Sequence, residues 1–566
     1  MADFSAWLPQ SVLSLRHYDR QTFLADLLAG VTVGLVALPL AMAFAISSGV
    51  PPQAGLACAV VAGFSISALG GTRLGIGGPT GAFVVVVSGI VAQHGFDGLL
   101  MCTFMAGLIL VVMGATGLGT AVDYLPRPVL VGFTNGIAVL IASSQIRDFF
   151  GLRIVHPSGV FLPRLLENVR ALPTLSPAAT ALGAAALVVV VVFNRFVRRV
   201  PGVVAALLLG TAAAWVLGLA VETVGTRFGD LPAGLPRPTW LAFRPDLIHP
   251  LLAPALTVAL LGAVESLMSA SVADRMTGGK HNPNVELVAQ GIANLVSPLL
   301  RGLPATGAIA RTATNIRAGG RTPVAGMIHA LTLLGVLVFA APLARHVPLA
   351  VLAAILLVVA WNMGEWREIP ELLRLSKADV AVWLVTFGLT VFADLTVAVE
   401  AGMILAGLLF IRRIAETTTI SEITGLEIER DRVHVLQGRV IPDYAAVFRI
   451  HGPFLFGASE KIEEILDRID RLPPIVILRL RNMTAIDTTG LRALDDLSGR
   501  LHATGRTLIM CGARPQPARL IRRAGIAGRV GPRNVCAHVQ EALDRAREIH
   551  EQGPAAAGWS PSPASP

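Results

Sequence analysis

Charge is scarce in this chain. Only 15% of its 566 residues are Asp, Glu, Lys or Arg, while 54% are hydrophobic. Soluble domains carry roughly 25% charged residues. A soluble protein of this length could not bury so much apolar surface, so the composition excludes that class and leaves a polytopic membrane protein. The formal net charge of +9 does not point to nucleic acid. The basic residues cluster in short loops between apolar runs, where membrane topology accounts for them. Cysteine is also scarce. Cys58, Cys102, Cys511 and Cys536 form no C-x-x-C and no Cys/His spacing, which argues against a metal site. They read as small buried hydrophobes. No nucleotide loop, Ser-His-Asp set or metal cluster is present, so neither an enzyme nor a cofactor is expected. A cleavable signal is not expected either, because the first apolar run follows a polar leader, lacks a small-residue cleavage site and is followed by more runs.

What the chain has is apolar runs, from about Leu27 to about Ile411. At roughly 20 residues per span, with short or broken helices admitted, they divide into about fourteen segments. These are 27–48, 53–70, 80–95, 98–118, 127–146, 175–194, 201–220, 249–273, 285–299, 306–318, 322–341, 347–363, 378–394 and 395–412. An even number puts both termini on one side. Arg195, Arg275, Arg317, Arg374 and Arg412 share that side, and the positive-inside rule makes it cytoplasmic. Residues 1–26 then form an N-terminal cytoplasmic segment and 27–412 a membrane domain, with the long loops near 147–174 and 221–248 opposite. Asp394 reads as a loop or helix end, and Asp274 and Arg275 as a pair closing the eighth segment. Composition changes near 433. "AAVFRIHGPFLF" and "PIVILRL" read as strands, "EKIEEILDRIDRL" and "TTGLRALDDLSGRLHATG" as amphipathic helices. They predict an α/β domain over 433–550, followed by a disordered Pro/Ala/Ser-rich tail over 551–566.

One motif occurs twice. "GIGGPTGAF" (Gly75 to Phe83) and "GLPATGAIA" (Gly302 to Ala310) each set Gly, Pro and Thr before an apolar run. "TVGLVALPLAMA" from Thr32 also resembles "TVALLGAVESLM" from Thr257, 225 positions later, and Thr80 and Thr306 are 226 apart. Matching offsets mark a duplicated membrane unit. Seven segments per copy is odd, so the second copy is inverted, a pattern of secondary transporters with interrupted helices. Each motif predicts a short extended segment ("TRLGIGG" and "LLRGLP") leading into a helix that starts near Thr80 or Thr306. Pro79 and Pro304 stop a helix upstream. The threonines are placed to cap, and the glycines let a ligand approach the backbone. Inversion would aim two helix N-termini at one another, each with free N–H groups and about half a positive charge. That makes an anion site without a full buried charge. The bland alternative is that Gly and Pro merely kink packed helices, and it weakens when two motifs match.

These residues resemble the sulfate permease (SulP) family of anion transporters. "VTVGLVALPLAMAFAISSGVPPQAGL", "GGPTGA" and "GLPATGAIARTATNIRAGGRTPVAG" are similar to its first, third and tenth spans, and "NMTAIDTTGLRAL" to the signature of its cytoplasmic STAS domain. The resemblance implies fourteen spans in two inverted repeats, about 27–220 and 249–412, and a STAS domain over 433–550. It implies a core (spans 1–4 and 8–11) that carries substrate against a gate (spans 5–7 and 12–14) by an elevator-like motion, and a homodimer. It places substrate between Thr80-Gly81-Ala82 and Thr306-Gly307-Ala308, with Leu40 and Phe44 as a wall. Many relatives have Gln at the position of Leu40, so their substrates do not transfer directly. Arg311 matches a basic residue of many relatives. A buried Arg is costly, so it is expected to pair with substrate or an acid. In STAS-like anti-anti-sigma proteins the hydroxyl corresponding to Thr488 is phosphorylated; Asp487 and Thr488 are equally suited to cap the helix they precede.

Glu265 is an acid within an apolar span, at the repeat equivalent of Leu40. A protonatable acid beside an anion site suggests proton-coupled symport, because protonation removes repulsion and admits the anion. Ser269, one turn along, belongs to the same candidate site, and a Glu–Arg pair with Arg311 is the structural alternative. The expected partners are a small inorganic or carboxylate anion (sulfate, bicarbonate or a dicarboxylate), a proton or sodium ion, and membrane lipid, with no nucleic acid. A sodium-coupled bicarbonate symporter is the runner-up. Such relatives tend to show Asp and more hydroxyls here, and Ile309 offers none. An uncoupled exchanger or channel needs no titratable acid, and a membrane sensor needs no paired half-helices.

Overall fold

The computed structural model describes residues 7–15, 18–120, 126–154, 158, 160–197, 201–230, 232, 234–240, 244–374, 376–393, 395–422, 441–455 and 460–552. Asp394 and the tail from 553 lie outside them. The chain forms two compact units, Met1–Ile404 and Leu405–Pro566.

The first unit is helical. Its elements are α1 (Gln10–Leu15), α2 (Arg20–Ser47), α3 (Pro52–Leu69), β1 (Gly77–Gly78), α4 (Ala82–Ala115), α5 (Arg127–Phe150), α6 (Phe161–Ala171), α7 (Pro177–Val192), α8 (Gly202–Val216) and α9 (Val224–Phe228). There follow α10 (Ile248–Thr277), α11 (Pro283–Val296), β2 (Thr306–Gly307), α12 (Ile309–Arg317), α13 (Val324–Phe339), α14 (Ala341–Ala344), α15 (Leu349–Met363), α16 (Glu368–Arg374), α17 (Lys377–Phe392) and α18 (Leu395–Thr417), the last running into the second unit. Helix occupies all fourteen predicted segments, and among the described residues seven stretches are long and apolar enough to cross a membrane. Local chemistry sets their starts. Pro51, Pro126 and Pro201 precede α3, α5 and α8, where a missing N–H costs nothing. Ser176 and Ser376 accept N–H bonds from Ala179 and Asp379 to cap α7 and α17. Gly95 divides α4 with φ +72° and ψ −177°, a conformation that glycine adopts at little cost. That break falls where the third and fourth predicted segments part.

The sequence boundaries need adjustment. Asp19 caps α2, its side chain accepting the Thr22 N–H at 2.8 Å, so helix already begins inside the predicted segment 1–26. The expected loops at 147–174 and 221–248 contain α6 and α9.

Within the first unit the helices pack in two groups. α4 lies on α10 and α11, α13 on α2 and α3, and α12 on α10 and α2. Separately, α15 and α17 pack on α5, and α7 packs on α15 and α8. The first group holds the predicted core segments, the second the predicted gate segments 5–7, 12 and 13. Two buried acids tie the repeats together reciprocally. Asp26 on α2, 0% exposed, accepts the backbone N–H groups of Arg321 at 2.7 Å and Thr322 at 3.0 Å, and the hydroxyls of Thr322 and Tyr18. Glu286 on α11 accepts the Thr72 N–H at 2.9 Å. Each repeat thus supplies a carboxylate to a loop of the other.

The second unit is a five-stranded sheet in the order β3 (Thr419–Glu422), β4 (Ala445–Phe454), β5 (Ile475–Ile486), β6 (Thr507–Cys511) and β7 (Val535–Cys536). β3 is antiparallel to β4, and the rest are parallel. Alternation along the strands builds two apolar faces. Phe448, Leu478 and Met510 belong to one, and Val447, Ile477 and Ile509 to the other, which the helix Val539–Gln552 covers. β3 precedes the predicted domain start at 433. All four cysteines are buried and free.

Candidate functional site

The two Gly-Pro-Thr motifs meet. β1 and β2 pair antiparallel, Gly77 opposite Gly307 and Gly78 opposite Thr306, and the Ala308 N–H donates to the Ile76 carbonyl at 2.8 Å. α4 and α12 start just beyond these strands. The first extended segment lies where the sequence predicts it. The second does not: residues 297–300 of "LLRGLP" and its approach form a 3-10 turn, Arg301 is left-handed at φ 53°, and the strand falls on Thr306 and Gly307 themselves. The helices therefore begin at Ala82 and Ile309, later than expected.

Neither threonine is a cap. Gly81 and Ala308 occupy the cap positions and no side chain caps either helix. The threonine hydroxyls have other partners. Thr80 Oγ1 donates to Glu265 Oε2 at 2.8 Å. Thr306 Oγ1 donates to the Gly262 carbonyl at 3.0 Å and lies 2.9 Å from Ser266 Oγ. Thr80 is buried and Glu265 half-buried, so this bond joins the first motif to α10 at the edge of the site.

Arg311 is 3% exposed, and its guanidinium donates to the carbonyls of Pro79 and, at 3.4 Å, Gly77. No ion pair joins it to Glu265 within 4.0 Å among the described residues, so the expected acid partner is replaced by backbone of the other repeat. Ser269 Oγ lies 2.9 Å from Thr312 Oγ1, which accepts the Ile76 N–H at 3.0 Å. Its hydroxyl goes to α12, not to Glu265. Gly307 N–H donates to Ser266 Oγ at 3.0 Å.

Leu40, Phe44, Ala82 and Ala308 are buried around the paired motifs. Space at Gly81 is short. A Cβ there would stand 2.8 Å from Met363 Cε, 3.2 Å from Ile141 Cδ1 and 3.3 Å from Phe44 Cε1. Ile141 and Met363 come from the gate group, and sequence reasoning did not single them out. It also missed the polar floor beneath β2. Gln290 accepts from Ser266 at 2.9 Å and donates to the Ala305 carbonyl, and Asn294 bridges that carbonyl at 2.9 Å and the Ala305 N–H at 2.8 Å. The signal for these was present: amides inside the apolar run "VAQGIANLV" must find partners.

Asp274 pairs with His281 at 2.7 Å and accepts its N–H at 3.0 Å, correcting the expected pair with Arg275. In the second unit Asp487 accepts the Gly490 N–H at 2.8 Å and caps the helix Thr488–Ala503, while Thr488 is exposed at its first position. Among the described residues no group of three or more His, Cys, Asp or Glu is placed to hold a metal ion.

A model described as the sulfate permease family matches residues 23–386, and one described as the STAS domain matches residues 437–542. YvdB of Bacillus subtilis (strain 168), provisionally named a sulfate transporter, is 42% identical over 93% of this chain and 98% of its own length. The bicarbonate transporter BicA of Synechocystis sp. is 32% identical over 95% of this chain and 97% of its own. The solved transmembrane domain of a cyanobacterial BicA, at 33% identity, superposes with a TM-score of 0.62 over 68% of this chain and 98% of that one. Mouse Slc26a9, solved in an inward-facing state, shares the fold at a TM-score of 0.86 and 18% identity, over 97% of this chain and 95% of its own.

Proposed function

Because the chain belongs to the sulfate permease family, and is therefore an anion transporter rather than an enzyme, we propose that it is a proton-coupled symporter of a small anion. Sulfate, bicarbonate and a dicarboxylate are the substrates to test. The bond from Thr80 to Glu265 carries this reading. Thr80 stands at the approach to α4, whose free N–H groups attract negative charge. While Glu265 is ionised, its carboxylate repels an incoming anion and holds the Thr80 hydroxyl. Protonation removes the repulsion and lets the carboxyl group donate instead, so that Thr80 can turn its own proton to the anion. Arg311, bound to the Gly77 and Pro79 carbonyls, fixes the backbone that presents this helix end.

Phe44 and Leu40 on one side and Ile141 and Met363 on the other make a narrow apolar seam between core and gate. An elevator-like displacement of the core along the gate would carry the site with its β1–β2 pairing intact. The chain would sit in the bacterial inner membrane with both termini cytoplasmic.

The test is uptake of labelled fumarate, sulfate and bicarbonate into proteoliposomes under a proton or a sodium gradient, with Glu265→Gln in parallel. Proton-driven uptake, lost by at least about tenfold in the variant, is expected; general acid–base groups commonly contribute 10²-fold or more. Sodium-driven uptake, or a variant that still concentrates the anion, would overturn the coupling role of Glu265.

A further inference from the structure

Three arginines meet on the sheet of the second unit, at the level where β6 ends. Arg449 on β4 stands opposite Arg479 on β5 in parallel register, and Cys511 on β6 continues the row. Arg481 follows two residues along β5. Neighbouring strands lie about 4.8 Å apart, and like charges directly opposite one another are destabilising. Period-two alternation puts Arg479 on the face of Ile475 and Ile477.

Among the described residues these guanidinium groups form no ion pair. Arg479 is 7% exposed and makes no hydrogen bond or ion pair among the described residues. Arg449 Nε is buried without a partner. Arg481 makes no ion pair among the described residues, and its carbonyl accepts from Arg514 Nε at 3.0 Å, which brings a fourth guanidinium close. Glu541, whose charge is felt at Cys511, is engaged with the Ala537 N–H at 2.7 Å. Burial, ahead of repulsion from Arg449 and Arg481, holds the Arg479 guanidinium below its usual range. It nevertheless stays charged at neutral pH.

A buried cation without a partner is costly, and an apolar residue of similar volume would be more stable there. Nothing in the fold of the domain needs three guanidinium groups side by side. Guanidinium forks match the oxygens of sulfate and phosphate groups, two bonds at a time. We infer that this face of the STAS sheet binds a soluble, multiply charged oxyanion of the sulfate or phosphate type through Arg449, Arg479 and Arg481. The site is distinct from the transport motifs, which lie in the other unit.

Hydrogen-exchange mass spectrometry on the full-length protein in detergent tests this directly. Inorganic pyrophosphate and sulfate are the probes, against sodium chloride at matched ionic strength. Local exchange over residues 445–455 and 475–486 should slow by about tenfold once one probe exceeds its dissociation constant tenfold. The protection should vanish in both Arg479→Gln and Arg449→Gln. Arg479 has no partner to lose, and Arg449 is half-exposed, so the variants should otherwise exchange as the parent does. Exchange unaffected by both probes, or protection that survives both substitutions, would overturn the proposal.

Discussion

At the residue scale, Gly81 is a tight point of the proposed transport site. A Cβ there would press on Phe44, Ile141 and Met363. Gly81→Ala should reduce uptake by about tenfold or more, since an ångström of misplacement at a site can cost 10²-fold. Adding Met363→Ala should restore part of the loss, because the Met363 methyl is the nearest obstacle. A double variant no better than Gly81→Ala in proteoliposome uptake would show that the strain lies elsewhere. Residue identity at this site was legible in the sequence: two threonines, an acid and an arginine stood out against apolar surroundings. Their partners were not. Thr80 reaches Glu265 across 185 positions, and Arg311 reaches Pro79 across 232. Cap chemistry is local and was the natural reading of both threonines. A half-buried carboxylate and a buried serine, brought up by tertiary packing, outcompeted it.

At the element scale, the interrupted helices depend on loops held by remote carboxylates. Asp26 secures the turn between α12 and α13, and Glu286 the turn between α3 and β1. A hydrogen bond to a charged group is worth about 1.5–3 kcal/mol, and leaving buried donors unsatisfied costs more. Asp26→Ala and Glu286→Ala should each destabilise by about 2–3 kcal/mol. Thermal unfolding in detergent would register this as a lowered midpoint, and an unchanged midpoint for either would deny it a clamping role. Periodicity revealed the helices because apolar length is a one-dimensional property. It could not reveal that β2 sits on Thr306 and Gly307, because a two-residue strand has no periodicity and exists through its partner alone.

At the scale of the whole molecule, the two units answer to different solvents. The second unit keeps its cysteines as neutral thiols: burial pushes Cys511 up to about 12 and Cys536 up to about 11. The unfolded chain releases these protons from about pH 9 upward while the folded domain retains them, so the stability they contribute is present below pH 9 and lost as pH rises through about 11. Pulse proteolysis in urea at pH 7 and pH 10 should show the STAS fragment weakening at the higher pH. The Cys511→Ala/Cys536→Ala double variant should weaken less; an equal loss would assign the effect to other groups. The duplication itself was legible from two offsets of nearly equal length, and so was the change of composition before the STAS domain. The reciprocal exchange of carboxylates between repeats was not, because Asp26 and Glu286 look like ordinary helix-end acids until the chain is folded.

The pairing of Gly77 and Gly78 with Gly307 and Thr306 bears on how the protein is made. A ribosome that has delivered the first 300 residues has placed one half of the proposed anion site in the bilayer with β1 lacking its partner strand. In hydrocarbon unpaired backbone groups have no water to turn to. The nascent chain must therefore wait, with its first repeat incomplete, for a stretch more than 200 residues downstream. Neither copy of the ancient duplication now possesses a working half.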